Sequence, residues 1–130
     1  MDKIKILVVK PGKRPVIMEI DHTLQNLQVI VGGYITATYP WDDPVALVCD
    51  DEAFLKPNEL NRMITPDLII AGTFFICGLT EDDFGSLSDE LLGKYKRMFA
   101  EPETFIRIEN KLICMTGSAW GDKIKAVITL

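Results

Sequence analysis

A chain of 130 residues fits one domain and is long enough to bury an apolar core without a disulfide or metal staple. Hydrophobic residues make up 48% and charged residues 25% with a net charge of −5, which excludes a disordered chain and a general nucleic-acid surface, since the latter needs clustered Lys and Arg. Cys49, Cys77 and Cys114 are odd in number and far apart, and two lie inside apolar runs, so the expectation is buried, reduced thiols in the cytoplasm rather than a disulfide framework.

Lys3 to Val9 alternates and then turns apolar, and its apolar stretch Ile6 to Val9 is too short for a secretory core or a membrane span. Pro11-Gly12 marks a turn and Pro15 to Ile20 alternates again, which predicts a hairpin. Asp21 or Thr23 can cap a helix whose apolar positions Leu24, Leu27, Ile30 and Val31 fall at helical spacing, with Gly32 where a C-terminal cap belongs. Tyr34 to Tyr39 and Val45 to Cys49 read as strands about the turn Pro40 to Pro44. Asp50 to Pro66 is punctuated by Pro57 and Pro66, and is expected to be a loop with one helical turn. Leu68 to Cys77, "LIIAGTFFIC", is expected to be one central strand, interrupted by Gly72 and ended by Gly78.

Ser86 or Ser88 then caps a helix running to about Phe99, with Leu91, Leu92, Tyr95, Met98 and Phe99 on one face. Thr104 to Ile108, Leu112 to Met115 and Ile124 to Thr129 are predicted as three short strands, with turns at Asn110-Lys111 and Gly117 to Asp122. The fold class is α+β with a mainly antiparallel sheet: hairpin, helix, hairpin, central strand, helix, short C-terminal strands.

Several short runs carry a resemblance in their order and spacing: "KILVV" with "PGK", "VGGYI", "ALVCDDE", "LNR", "IIAGTFFICG" and "DFGSLSDE". The chain resembles the domain of unknown function 3846 family over Lys3 to about Phe99, small proteins of phages and conjugative elements of Firmicutes. Residues 100–130 lie outside that pattern as an extension expected to add strands, and a chain ending near Glu101 is expected to fold. The resemblance brings no established activity. It implies a setting, an accessory protein of a mobile element acting in the host cytoplasm, where such proteins bind and neutralise host factors.

No phosphate-loop or dinucleotide motif and no nucleophile elbow is present, and His22 is the sole histidine, so nucleophilic and zinc catalysis are not expected and no cofactor or metal is assigned. The paired acids, Asp42-Asp43 among them, lack the spacing of a calcium loop and read as solvated turns. Gly33 is not needed to end the helix. Either its backbone must approach a ligand closely, or a tight helix-to-strand connection requires it. Asn61-Arg62 offers a guanidinium fork for phosphate or carboxylate, or else a salt bridge to Asp50, Asp51, Glu52 or Glu59. Gly72-Thr73 could open a pocket floor beside Phe74 and Phe75, though such residues are more often simply core on either face of the strand. Tyr34, and Trp41 at a turn tip, are candidate stacking residues, and Trp120 is a loop aromatic or a folded-back cap.

The expected function is therefore binding and sequestration, without conversion, of a small anionic, nucleotide-like ligand by Arg62, Asn61, Gly33, Tyr34, Gly72, Thr73 and Trp41, countering host defence. The alternatives are an acidic inhibitor of a host protein and an enzyme with no recognisable motif. Neither nucleic acid nor membrane is an expected partner, and the high apolar content allows a homo-oligomer.

Overall fold

Lys3–Val9 (β1) and Val16–Asp21 (β2) pair antiparallel with Ile6 opposite Met18 and Leu7 opposite Ile17, the hairpin that Pro11-Gly12 predicts. The structure is a computed structural model describing residues 2–117 and 123–130, so the reading of Trp120 and of most of the Gly117 to Asp122 turn lies outside the described residues. Thr23 caps the first helix, Leu24–Val31 (α1), its hydroxyl accepting from the Asn26 amide at 3.2 Å. Gly32 ends it in the left-handed region at φ 83°, with its N–H on the Gln28 carbonyl.

Ile35–Thr38 (β3) and Val45–Asp50 (β4) form the second hairpin, and Ala53–Leu55 is a short 3-10 turn. The segment expected to be a loop then diverges. Leu60–Thr65 (β5) is a strand, paired antiparallel with Leu68–Ala71 (β6). Its register shifts twice, once around Asn61 and once around Ile64, so the pairing skips the period-2 alternation by which a strand is recognised.

The run expected as one central strand is two. Gly72 takes φ 73°, a conformation that turns the chain and sends β6 and Phe74–Leu79 (β7) into different sheets. The strand continues through Gly78 to Leu79 rather than stopping there, and Phe84–Gly85 (β8) pairs with its end. β7 is central as expected, in the order β2-β1-β7-β4-β3 with every pairing antiparallel. Ser88 caps Asp89–Met98 (α2), and Glu103–Ile108 (β9), Lys111–Thr116 (β10) and Lys123–Thr129 (β11) form a separate antiparallel meander.

The central strands are buried on both faces, which is why Val45–Val48 and Phe74–Cys77 read as unbroken apolar runs. Leu7, Val9, Leu47, Phe74 and Ile76 face α2 through Leu92, Tyr95 and Phe99, with Ile70 of the β5–β6 hairpin in the same cluster. Ile6, Val8, Val48, Phe75 and Cys77 face α1 through Leu27 and Val31. The fold is α+β with antiparallel sheets.

Candidate functional site

Arg62 and Asn61, the central pair of the sequence reading, lie within the core, both with no exposed surface. The two terminal guanidinium nitrogens of Arg62 make four hydrogen bonds. Nη1 donates to the Asn61 carbonyl and side-chain oxygens at 3.3 and 2.9 Å, and Nη2 to the Lys13 and Phe99 carbonyls at 2.8 and 3.0 Å. Asn61 Nδ2 donates to the Val9 and Gly72 carbonyls, each at 2.8 Å. Burial pulls the Arg62 pKa down, opposed by the charge of Glu103. The fork therefore ties the β1–β2 turn, β5 and the end of α2 together, and only Nε, also buried, lacks a partner. None of the acids Asp50, Asp51, Glu52 and Glu59 is its partner, and its terminal donors do not reach the surface in this structure.

Gly33 belongs to a second neighbourhood. A β-carbon there would stand 2.6 Å from Asp50 Oδ1 and 2.6 Å from Lys56 Nζ, so the space beside the glycine is filled by the chain's own ion pair. Lys56 Nζ donates to Asp50 Oδ2 at 2.7 Å and to the Gly32 carbonyl at 3.2 Å. Burial raises the Asp50 carboxyl, but the Lys56 ammonium and the Glu52 amide together hold it below its ordinary value. Tyr34 projects outward, 71% exposed, and Thr73 is half-buried in the connection after Gly72.

Trp41 is not a free turn-tip aromatic. Its ring packs 4.7 Å from Tyr95 and 6.0 Å from Phe99, while Tyr95 donates its hydroxyl to Asp43 at 2.7 Å. Asp43, read as a solvated turn residue, is also held by Lys94, and its pKa is lowered by that contact first and by the Tyr95 bond second. Asn61, Arg62 and Gly72 thus meet in the interior, and Trp41 lies half-buried beside them against Phe99, whose carbonyl Arg62 bonds. Gly33 and Tyr34 do not join them.

An open groove of about 640 Å³ lies elsewhere, between the β1–β2 turn, the start of β5 and the inner face of the meander. Leu60, Phe105, Leu112 and Leu130 supply its apolar lining, with Gly12, Glu59 and Arg107 among its other walls. A second hollow shares Leu60, Leu112 and Leu130 and continues past Phe54 and Leu68. Phe105 and Arg107 point the same way because they alternate with Ile106 on one strand, which sets their α-carbons about 7 Å apart. That alternation is visible in "TFIRI" and would have found both residues, whereas the opposing Leu60 and Glu59 come from a segment with no strand signal.

The opposite wall of β5 is closed by side chains rather than by a strand. Glu103 accepts from the Met63 amide at 2.8 Å, and Lys125 donates to the Met63 carbonyl at 2.7 Å and to Glu103 at 2.9 Å. Cys114 donates its thiol to the same carboxylate at 3.3 Å. Burial first, and Glu103 second, push the Cys114 pKa up to about 12, and burial alone dominates in lifting Cys77 to about 12, so neither thiol is a nucleophile at neutral pH. Among the described residues no three His, Cys, Asp or Glu side chains cluster as metal ligands, and no helix is long and apolar enough to cross a membrane.

Fold and groove define a small α+β domain of antiparallel sheets, with an apolar cleft where the C-terminal meander meets the body. The chain belongs to a family described as a domain of unknown function (DUF3846), whose model matches residues 4–100. The match takes in everything through α2 and stops before the meander that forms one wall of the groove. No curated protein and no solved structure matches the chain.

Proposed function

We propose that the protein binds a small anionic, nucleotide-like ligand in the groove without converting it, with Arg107 rather than Arg62 as the anion contact. The observation that carries this reading is the juxtaposition of Phe105 and Arg107 on the groove-facing side of β9, over the Leu60 and Leu112 lining. A base or other planar group stacks on the ring, and a phosphate one strand repeat away meets the guanidinium in its bidentate geometry. Glu59, on the opposing wall, works against a multiply charged ligand and favours one of low charge. The host-cell setting implied by the family resemblance is the context in which sequestration of such a signal would counter defence.

The test is equilibrium dialysis against mono-, di- and cyclic nucleotides, followed by heat release and chromatography of the bound fraction. Stoichiometric, chemically intact recovery is expected. Arg107→Ala should weaken binding by about ten- to a hundredfold, the loss of a charge-assisted hydrogen bond pair. Glu59→Gln should tighten it. Conversion to a new product makes the protein an enzyme, and retention of no candidate, or indifference to Arg107→Ala, shifts the reading to an inhibitor of a host protein. That second reading has its own observation: β2 is an edge strand on which Val16, Ile17 and Met18 are all exposed, and an exposed apolar edge can accept a partner's strand.

A further inference from the structure

The two faces of the C-terminal meander differ. Strand registers place Leu112, Cys114, Phe105 and Ala126 on the side facing the body. Ile106, Ile113 and Val127 form a row across the opposite side, and Met115 and Ile124 lie in the next row with Thr104. Ile108 stands at the end of that side, beside Lys111 and opposite no acid. Among the described residues Lys111 is its one charged side chain, at the edge.

Ile124, Ile108, Val127 and Ile106 are 63, 54, 52 and 41% exposed. Neither helix covers them, since α1 and α2 pack on the two faces of the larger sheet. With the half-buried Ile113 and Met115 this amounts to on the order of 500 Å² of contiguous apolar surface, at the upper end of what a soluble monomer leaves open.

We infer that this outer face of β9–β11 is the interface through which two copies of the chain pair, sheet against sheet. The area fits that occupant. Two such faces together remove about 1,000 Å² of apolar surface before any rim is counted, the level at which a specific interface becomes stable. The charge pattern fits it too. A twofold contact brings each patch against itself, and every like charge on a self-facing patch is duplicated across it. Here the only charge among the described residues sits at one end of the strands, so a twofold axis running across the strands sets the two Lys111 side chains at opposite ends and the central rows meet neutral. The branched side chains of the Ile106–Ile113–Val127 row suit the spacing of about 10 Å at which sheets stack. This pairing uses the face of β9 opposite to Phe105 and Arg107, so it stands or falls independently of the ligand reading.

Sedimentation velocity of the full chain from low micromolar to about 100 µM decides it. The expected mass is twice the 14.6 kDa of one chain. Ile113→Asp, at the centre, should shift the dissociation constant upward by at least about tenfold and give monomers in the same range. Ile124→Lys, at the most exposed position and on another strand, should do the same, and serves where Ile113→Asp alters the circular dichroism of the fold. A wild-type chain that keeps the 14.6 kDa mass of a monomer throughout that range overturns the inference, as does a dimer whose mass neither substitution changes.

Discussion

Gly33 leaves no room for a β-carbon because two charged groups occupy the place where one would go. Asp50 cannot move aside: it is 5% exposed, and its Oδ1 accepts from the Glu52 amide at 2.9 Å. Lys56 can, since its ammonium is the far end of a flexible chain. Gly33→Ala is therefore expected to displace Lys56 from Asp50 and to push the backbone at residue 33 away from the carboxylate, at a cost of at least about 1–2 kcal/mol, leaving a buried carboxylate partly uncompensated. Adding Lys56→Met removes the Lys56 half of the clash and leaves the Asp50 half, but both changes break the same ion pair, so the double variant should lose less than the sum of the single losses, as read from urea midpoints. The pH dependence follows in sign. A carboxyl whose native pKa is depressed contributes stability that is complete above its unfolded value of about 4 and is lost as pH falls through the native value. Gly33→Ala should flatten that acid limb. Equal acid sensitivity in the variant and wild type would detach Gly33 from the ion pair.

At the scale of elements, the meander is fastened to β5 by side chains. Glu103→Ala leaves the Met63 amide and the Lys125 ammonium without their shared acceptor, at a cost of about 2–3 kcal/mol. Hydrogen exchange should quicken in β5, β6 and β9–β11 while β1, β4 and β7 keep their protection; uniform quickening across all strands would mean that the clamp stabilises nothing locally. A chain ending near Glu101, expected from the family-like pattern to fold, loses this clamp and the inner face that covers Met63, so it should be less soluble than the whole. Both helices, their caps and the three C-terminal strands were legible because Thr23, Gly32, Ser88 and the alternation of β9 and β10 are local signals. β5 was not. Its burial depends on an Arg that looks like a surface residue until carbonyls from Lys13 and Phe99, distant in sequence, satisfy it. The Gly72 turn was hidden by apolar residues on both sides, which serve two sheets rather than one strand. The burial and internal bonding of Asn61 and Arg62 were hidden in the same way, and the groove was not legible because that cleft exists only once β5 and the meander are brought together.

For the molecule as a whole, the three cysteines report on whether the sheets open as one unit. Cys49 is half-buried on β4, Cys77 lies under α1 in the main sheet, and Cys114 lies in the meander beneath Glu103. All three pKa values are raised, that of Cys49 by burial first and by Asp50 and Asp51 after it. Thiolate attack on a disulfide reagent at mildly alkaline pH is thus slow for each, and for the two buried thiols it requires opening of the structure around them. Cys49 should label first. If Glu103 and Lys125 bind the meander to β5 as their bonds to Met63 indicate, Cys114 and Cys77 should label together, at the rate of global unfolding, and denaturant should accelerate both with the same slope. Glu103→Ala should then separate them, since it removes the hydrogen-bonded lid over Cys114 and leaves Cys77 under Leu27 and Val31 untouched. Mass spectrometry of the labelled peptides assigns the rates. Wild-type Cys114 reacting as fast as Cys49 would show that the meander opens alone, and would leave the wall of the groove that carries Phe105 and Arg107 a moving one.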